Sequence, residues 1–249
     1  MKKRRIFRNL NDKEFAWVLY DVGNSAYTML ACALIPIWFK AMAIGTKPGQ
    51  LTSDRATAYY SMAIAVITIV VALLGPMCGA ISDYKGMKKI FFTSTVAVGV
   101  CGCILNGFAC QWIGFLLLFA VTKIFYNMSL MFYDSMLNDI TTEERMDEVS
   151  SYGYAWGYLG SCIPFLIALV AYVLGPDMAG IISGKLSMAI GFAVTGLWWL
   201  LVTVPLIKNY KQLNYVEKKE HAVRSAFRRI FETIRFIATK DKKVFFFLI

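Results

Sequence analysis

Histidine is almost missing from this chain: among 249 residues there is one, His221. It stands in a polar stretch with no placed carboxylate partner. A histidine-based triad or a histidine-rich metal site therefore has nothing to be built from. The strings G-x-S-x-G, H-E-x-x-H and G-x-x-x-x-G-K-[ST] do not occur. Their absence argues against an enzyme of those kinds and against ATP-driven transport. Charge is also scarce, at 17% of residues, where a soluble domain carries about 25%. The six cysteines (Cys32, Cys78, Cys101, Cys103, Cys110 and Cys162) all lie in or beside apolar runs. They form no paired loop framework, so they read as small apolar filler rather than a disulfide scaffold. Cys101 and Cys103 are two apart and would point away from each other on a helix. No metal and no cofactor is expected.

What is abundant is apolar surface. Hydrophobic residues make up 58% of the chain, against about 45–50% for a soluble domain. Six stretches reach the roughly 20 apolar residues that a bilayer-spanning helix needs. They run approximately 15–39, 57–81, 90–110, 112–137, 150–174 and 183–207. A further apolar stretch occupies 244–249. Backbone groups in lipid must be satisfied internally, so the runs read as helices, and the alternation of a membrane barrel is absent. The first run is not a cleaved signal peptide, being longer than an h-region and containing Asp21 and Asn24. The expected organisation is a basic segment 1–14, a six-helix bundle 15–207, a basic linker 208–243 and the start of a seventh helix at 244–249.

The net charge of +10 comes from 26 Lys and Arg against 16 Asp and Glu. In a soluble protein it would suggest nucleic acid, but its placement here follows the membrane. Six basic residues precede the first run, three (Lys85, Lys88, Lys89) lie between the second and third, and eleven fall in 208–243. The alternate loops hold four. By the positive-inside rule the amino terminus and the 208–243 segment are cytoplasmic. Within that segment Val223, Phe227, Ile230, Ile234 and Ile237 recur at helical spacing, with Arg224, Arg228 and Arg235 between them. That pattern predicts an amphipathic helix on the membrane surface. The basic excess is thus a bilayer signal, and no nucleic-acid partner is expected.

Between the second and third runs stands Gly79-Ala-Ile-Ser-Asp83-Tyr-Lys-Gly86-Met-Lys88-Lys89. The pattern G-x-x-x-D-x-x-G-x-[KR]-[KR] resembles the signature loop of the major facilitator superfamily. On physical grounds Gly79 would admit a neighbouring helix and Gly86 a tight turn. Lys88 and Lys89 would anchor the turn at anionic headgroups. The resemblance implies that Asp83, a negative charge at the membrane edge, contacts a helix start in a second half and closes the cytoplasmic side. A narrower likeness is carried by Trp17-Val-Leu-Tyr20-Asp21-Val-Gly-Asn24-Ser25-Ala26-Tyr27, by Phe132-Tyr133-Asp134 through Asp139-Ile140, and by Ser150-Ser151-Tyr-Gly153-Tyr-Ala-Trp-Gly157-Tyr158-Leu159-Gly160. Together these are similar to the vacuole-effluxer branch of the superfamily, related to the autophagy amino-acid effluxer of fungal vacuoles. The likeness spans most of the chain. It implies a fold of about twelve helices in two halves, of which this chain supplies the amino-terminal one.

Charges inside a bilayer are functional candidates by default. Asp21 lies roughly 9 Å inside helix one and Lys123 roughly 16 Å inside helix four from the opposite face. In a core about 30 Å thick their depths differ by about 5 Å, so an Asp21–Lys123 ion pair is expected. With Asn24 and Asn127 it would line the substrate or proton path; the alternative is a structural pair orienting helix one against helix four. Asp134, near the cytoplasmic edge, reads either as a gate or proton-linked carboxylate or as a solvated cap. Asn106 is a further cavity candidate. Gly153, Gly157 and Gly160 stripe helix five as packing positions. The stripe weakly resembles an antiporter motif, whose proline is replaced here by Tyr158. Gly75, Pro76 and Gly79 suggest close approach with a kink in helix two. The acidic group Asp139, Glu143, Glu144, Asp147 and Glu148 reads as the fourth-to-fifth loop, paired with the basic segment after helix six.

The expected protein is an all-α membrane protein: one half of a secondary transporter working by alternating access, here as an amino-terminal portion. The resemblance implies small solutes, with amino acids as the suggested class and the proton as the suggested coupling ion. The expected partners are lipid, a small-molecule substrate and a carboxy-terminal half or a second copy. The membrane would be a bacterial inner membrane, or a vacuolar one in a fungus. The competing readings are a non-transporting six-helix scaffold or truncated product and, third, a channel.

Overall fold

The computed structural model describes residues 9–176 and 178–217. Six long helices follow one another: α1 Asp12–Ala43, α2 Ser53–Ser82, α3 Met87–Asn106, α4 Trp112–Ile140, α5 Met146–Val173 and α6 Gly184–Asn209. A single 3₁₀ turn, Glu143–Arg145, joins α4 to α5. All six are long and apolar enough to cross a membrane. Among the described residues there is no strand, only isolated bridges at Ile44–Leu51 and Tyr84–Val216. The six apolar runs of the sequence correspond one to one with these helices. The amphipathic helix expected at 223–237 and the stretch 244–249 lie outside the described residues.

The helix ends follow local chemistry. Asn11 caps α1, accepting from the Lys13 and Glu14 amides at 2.9 Å, and the Glu14 side chain returns a bond to the Asn11 amide at 2.8 Å. This capping box starts the helix three residues before its apolar run. Gly86 adopts φ +77° at the head of α3, a left-handed turn that costs an L-residue with a side chain roughly 1 kcal/mol or more. The tight turn expected there is present. The third run ends early, at Asn106, because residues 107–110 leave the helix. α2 passes through Pro76 as one continuous helix.

α1 is the hub. It packs most extensively against α5 and α6 and also against α4, while α3 fills the angle between α4 and α6. α2 rests mainly on α4 and buries only Ala56, Ile67, Gly75 and Ser82. In lipid such packing rests on close contact rather than on exclusion of water, which favours small residues against large ones. The bundle does this repeatedly: the ring of Trp199 lies over Gly99 and that of Trp38 over Gly191. The core is aromatic, with Tyr20, Tyr27, Phe92, Phe132, Phe192 and Trp199 almost wholly enclosed. Outward, α2 presents Met62, Ile69 and Leu73 and α5 presents Ile163, Leu166 and Val170, a surface suited to a bilayer and a liability in water.

Gly79 has no packing neighbour among the described residues. A Cβ added there would meet no described atom, so it admits no neighbouring helix within this bundle. The reason is the peripheral position of α2. All six cysteines are free, with Cys101 exposed and Cys103 buried, as their spacing predicts.

Candidate functional site

Aromatic and hydroxyl contacts fix the register of α1 against α4. Trp17 stacks on Tyr133 with ring centroids 4.3 Å apart, and its indole N–H donates to the Tyr133 carbonyl at 3.2 Å. Tyr20 and Ser129 hydroxyls bond at 2.8 Å. About two turns further along α1, the Thr28 and Tyr126 hydroxyls bond to each other. The antiparallel helices are thereby pinned at three levels.

Beside this seam, α1, α4 and α5 enclose an open cavity of about 320 Å³. α1 contributes Trp17, Asp21, Asn24, Ser25 and Thr28, one stripe at helical spacing. α4 contributes Tyr133, Asp134 and Leu137, and α5 contributes Ser150, Tyr154 and Tyr158 at intervals of four. Asp21 accepts from the Asn24 amide at 3.1 Å, and that amide also donates to the Tyr20 carbonyl at 3.3 Å. Asp134 is on the opposite wall. The α5 glycines set the width: a Cβ on Gly157 would come within 3.0 Å of Asp21 Oδ2 and of Ser25 Oγ, and one on Gly153 within 2.9 Å of the Trp17 ring. Gly160 continues the stripe against Val22. The glycines expected to serve packing do so, and two of them also make room for a carboxylate.

The expected Asp21–Lys123 pair is not formed. The Lys123 ammonium sits over aromatic rings instead, 4.7 Å from the Tyr126 centroid and 5.7 Å from that of Tyr27, a cation–π placement. The register explains why. Tyr20–Ser129 and Thr28–Tyr126 place Asp21 near the level of Ser129 and Lys123 near that of Leu30. The two charges are then about six to nine residues apart along the helices, roughly 9–13 Å. Counting depth from the ends of apolar runs missed the turn that α1 gains through its cap and the turn that α4 gains beyond Leu137. Asn127 is half-buried and outside the cavity wall. Asn106 is fully buried and serves helix packing: its amide is placed to donate to the Phe115 carbonyl at 3.1 Å and to accept from the Phe119 amide at 3.2 Å.

At the end of the bundle that carries the α2–α3 loop, Lys88 also departs from expectation. It is 4% exposed; its ammonium lies 3.5 Å from Asp139 Oδ2 and donates to the Ser135 carbonyl at 3.3 Å. It cannot reach a headgroup. Lys89 is half-buried and Asp83 exposed. Asp139 lies in the last turn of α4 rather than in a loop; its ion-pair partner is Lys88 of α3, and the segment after α6 meets it through hydrogen bonds rather than through its basic side chains. Its carboxylate also accepts from the Leu213 amide at 3.2 Å, the Asn214 amide at 2.7 Å, the Asn214 side chain at 2.9 Å and the Tyr210 hydroxyl. Burial and this bond to Asp139 hold the Tyr210 hydroxyl well above the ordinary phenol range. Gln212 completes a strap, donating to the Ser82 carbonyl at 3.3 Å and accepting from the Lys88 amide at 3.4 Å, while the Val216 amide bonds the Asp83 carbonyl at 2.9 Å. A second ionic cluster joins Arg145 to buried Glu14 at 3.0 Å, and Glu14 also accepts from the Thr141 hydroxyl at 2.8 Å. Sequence reasoning missed Glu14, Ser25, Tyr133 and Tyr154. The Asn11–Glu14 capping spacing and the four-residue steps from Asp21 to Ser25 and from Ser150 to Tyr154 are the signals that point to them.

A bundle of six membrane-length helices beside a polar, carboxylate-bearing cavity defines an integral membrane protein. Comparison with known proteins agrees: the model of the vacuole effluxer Atg22-like family matches residues 11–249, and the chain belongs to that family. It is 34% identical over 247 residues to an uncharacterized MFS-type transporter, YxiO, of Bacillus subtilis (strain 168). The match covers 98% of this chain and 57% of that protein. No solved structure matches.

Proposed function

We propose that this chain is the amino-terminal six-helix half of a secondary transporter that moves small solutes, amino acids among them, by alternating access. The observation that carries the reading is the cavity: polar side chains of α1, α4 and α5 converge beside the bundle's hub helix, and Asp21 and Asp134 face it from two walls. Buried charge in a membrane helix is costly to insert and marks a substrate or ion path. In transporters built from repeats the site lies between the halves. Asp21 and Asn24 of α1 line the path, with Lys123 and Asn127 of α4 further along it. Asp83, Gly86, Lys88, Lys89 and Asp134 form the switch region at the basic end. The amino terminus is cytoplasmic, in keeping with the loop charges, the host membrane is a bacterial inner membrane, and the coupling ion is the proton.

The test is flux in proteoliposomes carrying the protein expressed from its complete reading frame. Saturable amino-acid uptake driven by an imposed proton gradient is expected. Asp21→Asn removes a charged hydrogen-bond partner worth about 1.5–3 kcal/mol, so its uptake at low substrate should fall about tenfold or more. Non-saturating flux would make the protein a channel, and absence of flux with every amino acid would leave the scaffold reading. Lys123→Met with full transport would remove Lys123 from the path.

A further inference from the structure

The cavity holds two carboxylates and no positive charge. Asp21 is met by one amide, from Asn24, and among the described residues no ion pair involves Asp21 or Asp134. Lys123 is committed to the rings of Tyr126 and Tyr27, roughly 9 Å or more away along the helix. The strong cation partners of the bundle are spent elsewhere, Lys88 on Asp139 and Arg145 on Glu14. Asp21 is half-buried and Asp134 exposed to the cavity side; a carboxylate in a membrane helix gains from a cationic partner, and among the described residues none is placed there.

The walls suit one kind of partner. Trp17 and Tyr133 form a stacked aromatic pair on one side, and Tyr154 and Tyr158 stand exposed on the other. The exposed tyrosine faces attract ammonium groups by their quadrupole. An independent observation points the same way. The Tyr133 hydroxyl is buried and has no hydrogen-bond partner, although its ring lines the cavity and it lies in electrostatic reach of Asp21, Asp134 and Tyr154. A buried hydroxyl without a partner costs about 1–3 kcal/mol. Gly153 and Gly157 leave Asp21 Oδ2 open on the α5 side, where a single methyl would press against it.

We propose that this cavity binds the ammonium group of a small organic cation, paired to Asp21 and Asp134 and flanked by Trp17, Tyr133 and Tyr154. The inference rests on the transport reading for the use of the site, though not for its occupancy.

The experiment is equilibrium binding to the purified full-length protein in detergent. The probe is 2-phenylethylammonium, with 3-phenylpropionate and 3-phenylpropanol as anionic and neutral controls. Saturable binding of the ammonium, with the two controls at least about tenfold weaker, is expected. Asp21→Asn and Asp134→Asn should each weaken it about tenfold or more, the size of one lost charged contact. Gly157→Ala, which keeps both charges, should weaken it by crowding Asp21. Equal binding of the three probes, preference for the anion, or affinity unchanged in the Asp21→Asn/Asp134→Asn double variant would each overturn the proposal. Gel filtration and thermal unfolding of each variant separate lost binding from lost fold. Amino-acid flux on the same preparations keeps the two readings apart. Flux without ammonium selectivity sinks the cation site alone, whereas selective binding without any flux sinks the transport reading and leaves the site.

Discussion

Asp139 gathers a lysine, a tyrosine and three donors of Leu213 and Asn214 around one carboxylate that has no exposed surface. A buried pair of this sort gains little over an apolar pair of the same shape, but breaking it is costly because the survivor keeps its charge. Asp139→Ala should therefore destabilise the protein by about 3–5 kcal/mol, measured by denaturant unfolding in micelles. Lys88→Met combined with Asp139→Leu should recover part of that loss. A single-variant cost below about 1 kcal/mol would mean the pair is solvated, as surface pairs are. The sequence already displayed Lys88 and Asp139 as notable residues, yet it misassigned both. Lys88 belongs to a basic loop and Asp139 to an acidic run, and loop charge is ordinarily wet. What cannot be read from a linear pattern is that the chain after α6 returns across both and seals them from water.

Helix packing is the level at which the pattern of the sequence was most informative. Apolar runs of about 20–25 residues can only be spanning helices, and six were found where six were expected. The glycine stripe of α5 also announced a close neighbour, because only small residues let two helices approach. The identity of that neighbour, α1, and the fact that Asp21 occupies the space were not legible; they depend on how α5 is rotated about its axis. A direct check contrasts two glycines. Gly160→Leu drives a side chain into Val22 and should cost at least the 1–3 kcal/mol of an overpacked core, seen as a lower unfolding midpoint. Gly114→Ala, which meets nothing, should be neutral or should gain about 0.5–1 kcal/mol from the better helix former. Equal effects at the two sites would mean that α5 does not press on α1. The misplaced Asp21–Lys123 pair belongs to this scale as well. Composition shows where a run is apolar, but register is set by caps and by individual contacts such as Tyr20–Ser129.

At the scale of the whole molecule the asymmetry of charge becomes a statement about orientation. The loops at one end carry Lys85, Lys88 and Lys89, and the other end carries the α3–α4 connection with exposed Cys110. With Cys110 kept as the single cysteine, a membrane-impermeant maleimide added to intact cells should label it. A cysteine introduced by Lys85→Cys should react only after the cells are opened. The reverse pattern would invert the proposed topology. Fold class was legible at this scale because bilayer thickness and backbone chemistry leave few solutions. The cavity was only half legible. Asp21, Asn24 and Asp134 stood out as charge and amide in lipid, but the aromatic wall looked like ordinary membrane core until three helices converged on it.

The strap formed by Tyr210 to Val216 has a mechanical meaning. Its bonds run to α2, α3 and α4 at once, through Ser82, Asp83, Lys88 and Asp139. A pull exerted on the chain beyond Val216 is not delivered to α6 alone. It is shared as shear across several hydrogen bonds loaded in parallel, the arrangement that resists tension best. The bundle is thus harnessed rather than tethered: a tug on the connecting chain loads α2, α3 and α4 together with α6 instead of peeling the last helix away.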